Sequence, residues 1–265
     1  MLIITPQGGL CNRLRVLFSA IQAAHNGVGP IEIHWAKNPE CFAWFEELFL
    51  PISTPSIKVV HRKWWALPRT RRNLHLPEFL RYAMGYFVQR ANCDPNDDSE
   101  FYSLTKASKV YLSGCSKLCS YTKSCIEMVI PEPTIKHRID SIVNNFTSHT
   151  IGVHIRRTDN VVSIENSSNQ GFMRAMGRAL EADPEANFFL ATDDAALKRE
   201  LIAKYGNRII TQQAPVSRSS IEGMRDAVVD LWCLASASRI IGSYWSSFTD
   251  TAAELFDAPL EIVMD

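Results

Sequence analysis

From Ile151 onward the chain alternates short apolar runs with longer stripes at helical spacing. Ile151 to Arg156 alternates as a strand. Gly171 to Ala182 carries Phe172, Met176, Ala179 and Leu180 along one helical stripe. Asn187 to Thr192, NFFLAT, reads as a short buried strand, and Ala195 to Tyr205 as a helix closed by Gly206. Arg208 to Thr211 follows as a strand. Ser220 to Ala237 gathers Met224, Val228, Leu231, Trp232 and Ala235 on one face of a long helix. Arg239 to Ser243 is a strand, Thr249 to Phe256 a helix, and Glu261 to Met264 a last strand. Strict β–α alternation predicts a parallel, doubly wound sheet with helices on both faces.

The first half alternates less cleanly. Strands are expected at Leu2 to Thr5, Ile31 to Trp35, Ile57 to Val60 and Lys109 to Ser113. Helices are expected at Asn12 to His25, ended by Gly27, and at Pro77 to Arg90. Asn92 to Glu100, NCDPNDDSE, reads as a loop. Pro131 and Pro133 interrupt the middle of the chain. The expected organisation is α/β with two Rossmann-like domains: 1–130, a linker 131–149, and 150–265. No internal repeat or low-complexity tract is visible.

In an open parallel sheet, ligands bind beyond the carboxyl ends of the strands. Candidate chemistry converges there. His154, Arg156, Arg157 and Asp159 end or follow the first strand of the second half. Asp193 and Asp194 follow NFFLAT. Ser243, Ser246, Ser247 and Thr249 follow RIIGS and open the last helix. Two adjacent arginines at the end of a buried strand point to an anion, because the planar guanidinium suits bidentate contact with phosphate. A hydroxyl-rich helix start is a natural phosphate seat, and carboxylates suit ribose or sugar hydroxyls. Together these are the groups of a nucleotide-sugar site. Each has a plainer alternative. Arg156 and Arg157 could pair with Asp159 at the surface, Asp193 could cap the helix at Ala195, the serines could be ordinary helix-start residues, and His154 could be a core histidine. Asp230 falls opposite the main apolar stripe of its helix, where solvated carboxylates are common.

The amino-terminal loop QGGLCNRLR has the same strand–loop–helix plan. Gly8 and Gly9 allow close backbone approach, Asn12 is placed to cap the helix, and Arg13 is expected to face the cleft; a simple tight turn is the alternative. It is neither GxGxxG nor a Walker loop, so it implies no dinucleotide or triphosphate.

Composition narrows the reading. Lys+Arg and Asp+Glu are both 28 in 265 residues, and 46% of residues are hydrophobic. Charge balance argues against nucleic acid as partner, and the apolar content suffices for one or two cores. No apolar run approaches a membrane span, and Met1 runs directly into LIIT, Pro6 and glycines rather than a leader pattern. A cytoplasmic location is expected. Cys11, Cys41, Cys93, Cys115, Cys119, Cys125 and Cys233 are odd in number and lack paired CxxC spacing, so free thiols and no metal site are expected.

GVHIRRTDN, then FFLATDD, then VVDLWCLASASRIIGSYWSSF, in that order, resemble the fucosyltransferase superfamily. That group includes α-1,6-fucosyltransferases, nodulation fucosyltransferases and, more distantly, α-1,2- and protein O-fucosyltransferases. GGLCNRL resembles the GGLGN-type opening of several members. The resemblance covers Thr150 to Leu255 well and Ile3 to Ser19 moderately. It implies a two-domain, GT-B-like enzyme that transfers L-fucose from GDP-fucose to a glycan or polysaccharide hydroxyl, inverting and without a metal or other cofactor. By motif position it implies that Arg156 grips the diphosphate with Arg157 beside it, and that His154 contacts the nucleotide or orients Arg156. Asp193 would hold guanine or ribose, Asp230 would anchor the nucleotide with Arg225 five residues before it, and Ser246 and Ser247 would bind the phosphates. The α-1,6 enzymes carry a glutamate resembling a general base shortly after HxRRTD. Here Glu165 lies one residue further on and is the candidate. Phe248 stands where members often have glutamine.

The remaining partner is the acceptor, expected in the cleft between the domains. His61 to His75, HRKWWALPRTRRNLH, mixes Trp64 and Trp65 with basic residues. It suits an anionic glycan, or peripheral contact with a membrane that carries a lipid-linked acceptor; a solvated loop with two core tryptophans is the alternative.

Overall fold

The computed structural model describes residues 1–62, 77–83, 85, 88–213 and 219–265. The chain divides into two units, Met1–Glu132 with Arg218–Met224 and Pro133–Ser217 with Arg225–Asp265. The first unit holds β1 (Leu2–Pro6), α1 (Leu10–His25), β2 (Ile31–Ala36), β3 (Ile57–Arg62), α2 (Glu78–Ala83), β4 (Val88–Ala91), α3 (Asp98–Thr105), β5 (Val110–Gly114) and α4 (Lys123–Glu127). Its sheet runs β3-β2-β1-β5-β4 with parallel pairing. Leu14, Leu17, Phe18 and Ile21 make the buried stripe of α1.

The second unit holds α5 (Pro133–Val143), β6 (Thr150–Ile155), α6 (Val161–Asn166), α7 (Asn169–Ala182), β7 (Asn187–Thr192), α8 (Ala195–Tyr205), β8 (Ile209–Ile210), most of α9 (Ile221–Ala235), β9 (Arg239–Ser243), α10 (Ser247–Phe256) and β10 (Leu260–Val263). Its sheet is parallel in the order β10-β9-β6-β7-β8. Residues of β6 are buried on both faces, as expected where helices cover a parallel sheet on both sides. Ile151, Val153 and Ile155 pack with Phe172, Met176, Phe188 and Leu190 in its core. Strand order reverses between β6 and β9. This is the topological switch point, beyond whose carboxyl edge ligands of such sheets bind.

The expected α/β class and parallel sheets are present. Four local expectations differ. Pro77 to Arg90 is not one helix: α2 stops at Ala83, where the Gly85 amide donates back to the Tyr82 carbonyl at 2.8 Å, and β4 follows. The loop Asn92 to Glu100 ends early, because the Asp97 carboxylate accepts the amides of Ser99 and Glu100 and starts α3. Residues 131–149, read as a linker, contain α5, which Pro133 opens as a proline can in a first helical turn. The short helix α6 was unexpected; Asn160 caps it by accepting the Ser163 amide at 3.1 Å. No helix of the described residues is long and apolar enough to cross a membrane.

Candidate active site

The end of β6 is organised by one carboxylate. Asp193 Oδ1 accepts the Arg157 amide at 2.7 Å. Its Oδ2 accepts the Thr158 hydroxyl at 2.6 Å and the Thr158 amide at 3.3 Å, and pairs with Arg156 Nη1 at 3.0 Å. The Asp193 side chain is only 7% exposed. It therefore clasps three successive residues of the loop. The neighbouring Asp194, not Asp193, caps α8, accepting the amides of Ala196 and Leu197 at 2.8 and 3.0 Å. Asp193→Ala is expected to lower unfolding free energy by about 2–3 kcal/mol, the worth of losing charge-assisted hydrogen bonds. Urea unfolding checks this, and an unchanged midpoint would remove the clasp as a structural element.

Arg156 lies between Asp193 and Asp159, which its Nη2 also pairs. Its amide donates to Ser243 Oγ at 2.9 Å, tying the ends of β6 and β9 across the switch point. Arg157 faces the other way. Its Nε donates to Asn169 Oδ1 at 2.6 Å, and its Nη1 and Nη2 donate to the carbonyls of Arg156 and Ser167. The guanidinium also lies over Phe172. Its contacts are those of a strut that fastens the loop to the start of α7.

His154 is buried, shares a 2.7 Å hydrogen bond through Nδ1 with Thr249 Oγ1, and stacks on Phe248. Burial, reinforced by the Arg156 cation, pushes its pKa down to about 3, so the ring is neutral. Gly242 makes this possible: a Cβ there would fall 2.2 Å from Thr249 Cγ2, so only glycine lets α10 lie this close to β9. Ser246 is the N-cap residue of α10 but its side chain makes no cap bond, and Asp250 stands in the first turn of that helix. Ser247 is the first residue of that helix.

Asp230 departs from its expected solvated position. It is buried and accepts Gln212 Nε2 at 2.6 Å. Gln212 Oε1 in turn accepts Arg138 Nη2 at 2.7 Å, and Arg138 also pairs with Asp226. Burial raises the Asp230 pKa to about 6, against the lowering hydrogen bond from Gln212. Gln212, just past β8, and Arg138, on α5, escaped sequence reading because neither lies in a recognisable motif. Arg225 is half-buried on the first turns of α9. Glu165 sits on α6, exposed, with no side chain of the described residues bonded to it.

Gly8, Gly9, Asn12 and Arg13 belong to the first unit. Gly8 has φ +78°, and Gly9, not Asn12, is the N-cap residue of α1. Arg13 is directed into the interior of the first unit. It is fully buried, donating from Nε to the Gly8 carbonyl at 2.8 Å, from Nη2 to Asn38 Oδ1 at 2.8 Å and from Nη1 to the Ala36 carbonyl, over the Trp35 ring. It pins the β1–α1 loop to the end of β2. Beyond Arg62, the basic stretch His61 to His75 lies outside the described residues. His61 itself stacks on Trp44 and bonds Glu46. Of the seven cysteines, all but the half-buried Cys115 are buried. No cluster of His, Cys, Asp or Glu among the described residues is placed to hold a metal ion.

No family model matches the sequence. Solved structures do match the fold. NodZ α-1,6-fucosyltransferase co-crystallised with GDP is 19% identical, with TM-score 0.60 over 96% of this chain and 92% of that one. POFUT1 in complex with GDP is 12% identical, with TM-score 0.56 over 99% and 97%. A variant of Arabidopsis thaliana FUT1 in complex with GDP is 12% identical, with TM-score 0.60 over 98% and 69%. The chain carries the fold of the fucosyltransferases.

Proposed function

We propose, from this shared fold, that the protein is an inverting fucosyltransferase that moves L-fucose from GDP-fucose to a hydroxyl of a glycan or polysaccharide. The observation that carries the reading is Arg156, presented at the switch point beside the uncapped start of α10 and held there by Asp193. That combination brings together a guanidinium, whose two terminal nitrogens pair with Asp159 and Asp193 and would have to exchange a carboxylate for phosphate oxygens, and the start of α10, with neutral His154 behind them. The runner-up readings are a transferase of this fold with another nucleotide sugar, and a nucleotide-sugar-binding protein without catalysis.

The reaction is a single displacement. The acceptor oxygen attacks the anomeric carbon while the bond from that carbon to the phosphate oxygen breaks, and GDP leaves. Arg156 and the N–H groups of α10 stabilise the charge that develops on the leaving diphosphate, so no divalent metal is required. Glu165 takes the acceptor proton. Asp193 keeps Arg156 in place during both events. Asp230, Arg225, Ser246 and Ser247 complete the donor site, with Asp230 anchoring the nucleotide and Ser246 and Ser247 the phosphates.

Calorimetric titration with GDP, UDP and GDP-fucose, with and without EDTA, tests the reading. GDP and GDP-fucose are expected to bind with micromolar affinity, UDP at least tenfold more weakly, and EDTA to change nothing. Preference for UDP would redirect the donor, and binding lost in EDTA would end the metal-free mechanism.

A further inference from the structure

Trp245 holds a backbone conformation unusual for a bulky residue. Its φ is +54°, in the left-handed region where Cβ crowds the chain. It lies between Ser243, which accepts the Arg156 amide, and Ser246, which opens α10. Both sides of the turn are fastened. Asn160 Nδ2 donates to the Trp245 carbonyl at 2.8 Å, and the Tyr244 amide donates to Ser167 Oγ at 2.9 Å. The same Asn160 caps α6, so one side chain ties that helix to the turn. None of this buries Trp245, which as a residue is 70% exposed. Glycine or asparagine would satisfy such a turn without strain. Beside it in the hydrogen-bond network, α6 leaves Val161, Val162 and Ile164 exposed. Strained residues of this kind gather at functional sites, where the surrounding structure enforces them.

We propose that Trp245 is a sugar-stacking residue of the acceptor site, a reading that rests on glycosyl transfer as set out above. The ligand class is an oligosaccharide with pyranose rings of gluco or galacto configuration. One face of such a pyranose presents mainly C–H groups, which pack on a flat indole while the hydroxyls remain hydrated. The acceptor oxygen must reach the anomeric carbon next to the diphosphate, and Trp245 is two residues from the serine that fixes Arg156.

Two variants test this, Trp245→Gly and Trp245→Phe. Glycine accepts the left-handed backbone, so Trp245→Gly keeps the fold and is expected to melt at or above the parent temperature. The probes are tetrasaccharides of β-linked glucose, galactose and N-acetylglucosamine, added to isotope-labelled protein with GDP. The indole N–H resonance of Trp245, assigned by its absence from Trp245→Phe, is expected to move with at least one of them. Trp245→Gly should weaken that saccharide tenfold or more while GDP affinity stays within twofold, and Trp245→Phe should keep most of the affinity. A resonance unmoved by every saccharide, or equal saccharide affinity in Trp245→Gly, overturns the assignment. So does a resonance that responds only to lipid vesicles or to protein concentration, because a membrane or a second copy would then be the occupant. If the parent binds saccharide at Trp245 but no GDP, the transferase reading fails while the stacking role stands.

Discussion

Arg156→Ala is expected to weaken GDP binding by about a hundredfold or more, near 2.8 kcal/mol at about 1.4 kcal/mol per tenfold. The reason is twofold. The substitution removes a fork able to hold two phosphate oxygens at once. It also leaves Asp159 and Asp193 without their shared cation, so the diphosphate would meet two carboxylates instead of a neutralised pair. Asp193 keeps its bonds to the Arg157 amide and to Thr158, so the loop should persist and the loss should fall on the ligand. Arg156→Lys should recover only part of the affinity, because an ammonium is a point charge without the planar fork. Calorimetry with GDP reads both variants. Unchanged affinity in Arg156→Ala would sink the diphosphate assignment.

Glu165→Gln is expected to lower transfer by about 10²–10⁴-fold, the usual worth of a general base, with GDP affinity unchanged. Its place on α6 favours the role. The carboxylate is exposed, unengaged by the described residues, and carried by a helix whose cap, Asn160, also holds the turn at Trp245. Single-turnover transfer from GDP-fucose checks it. Full turnover in the glutamine variant would remove Glu165 as the proton acceptor.

The parts legible from sequence were those governed by local periodicity. NFFLAT and RIIGS are β7 and β9 because apolar runs of that length, flanked by polar breaks, have no cheaper arrangement. The convergence of Arg156, Asp193 and Ser243 on one edge followed from strand direction alone. What periodicity cannot give is where a long side chain folds back to. Arg13 and Arg157 both read as cations offered to a ligand, yet both are consumed by backbone carbonyls and amide side chains brought in by tertiary structure. Asp193 and Asp194 are adjacent in sequence, and only the path of the chain decides that the second caps α8 while the first clasps the loop. Asp230 reads as solvated on a helical wheel, but Gln212 and Arg138 approach it from other elements. Val161 to Asn166 is too short and too β-branched to announce a helix, and it exists because Asn160 nucleates it.

The clasp also decides how an anion can find this site. Around the end of β6 the two guanidinium groups of Arg156 and Arg157 stand among the carboxylates of Asp159, Asp193 and Asp194, and His154 adds no charge. Beyond a Debye length, about 8 Å at physiological ionic strength, that cluster presents no net attraction to a diphosphate. Long-range steering therefore plays little part. On the proposed reading, recognition happens at contact, through the shape of the fork and the aim of the amides.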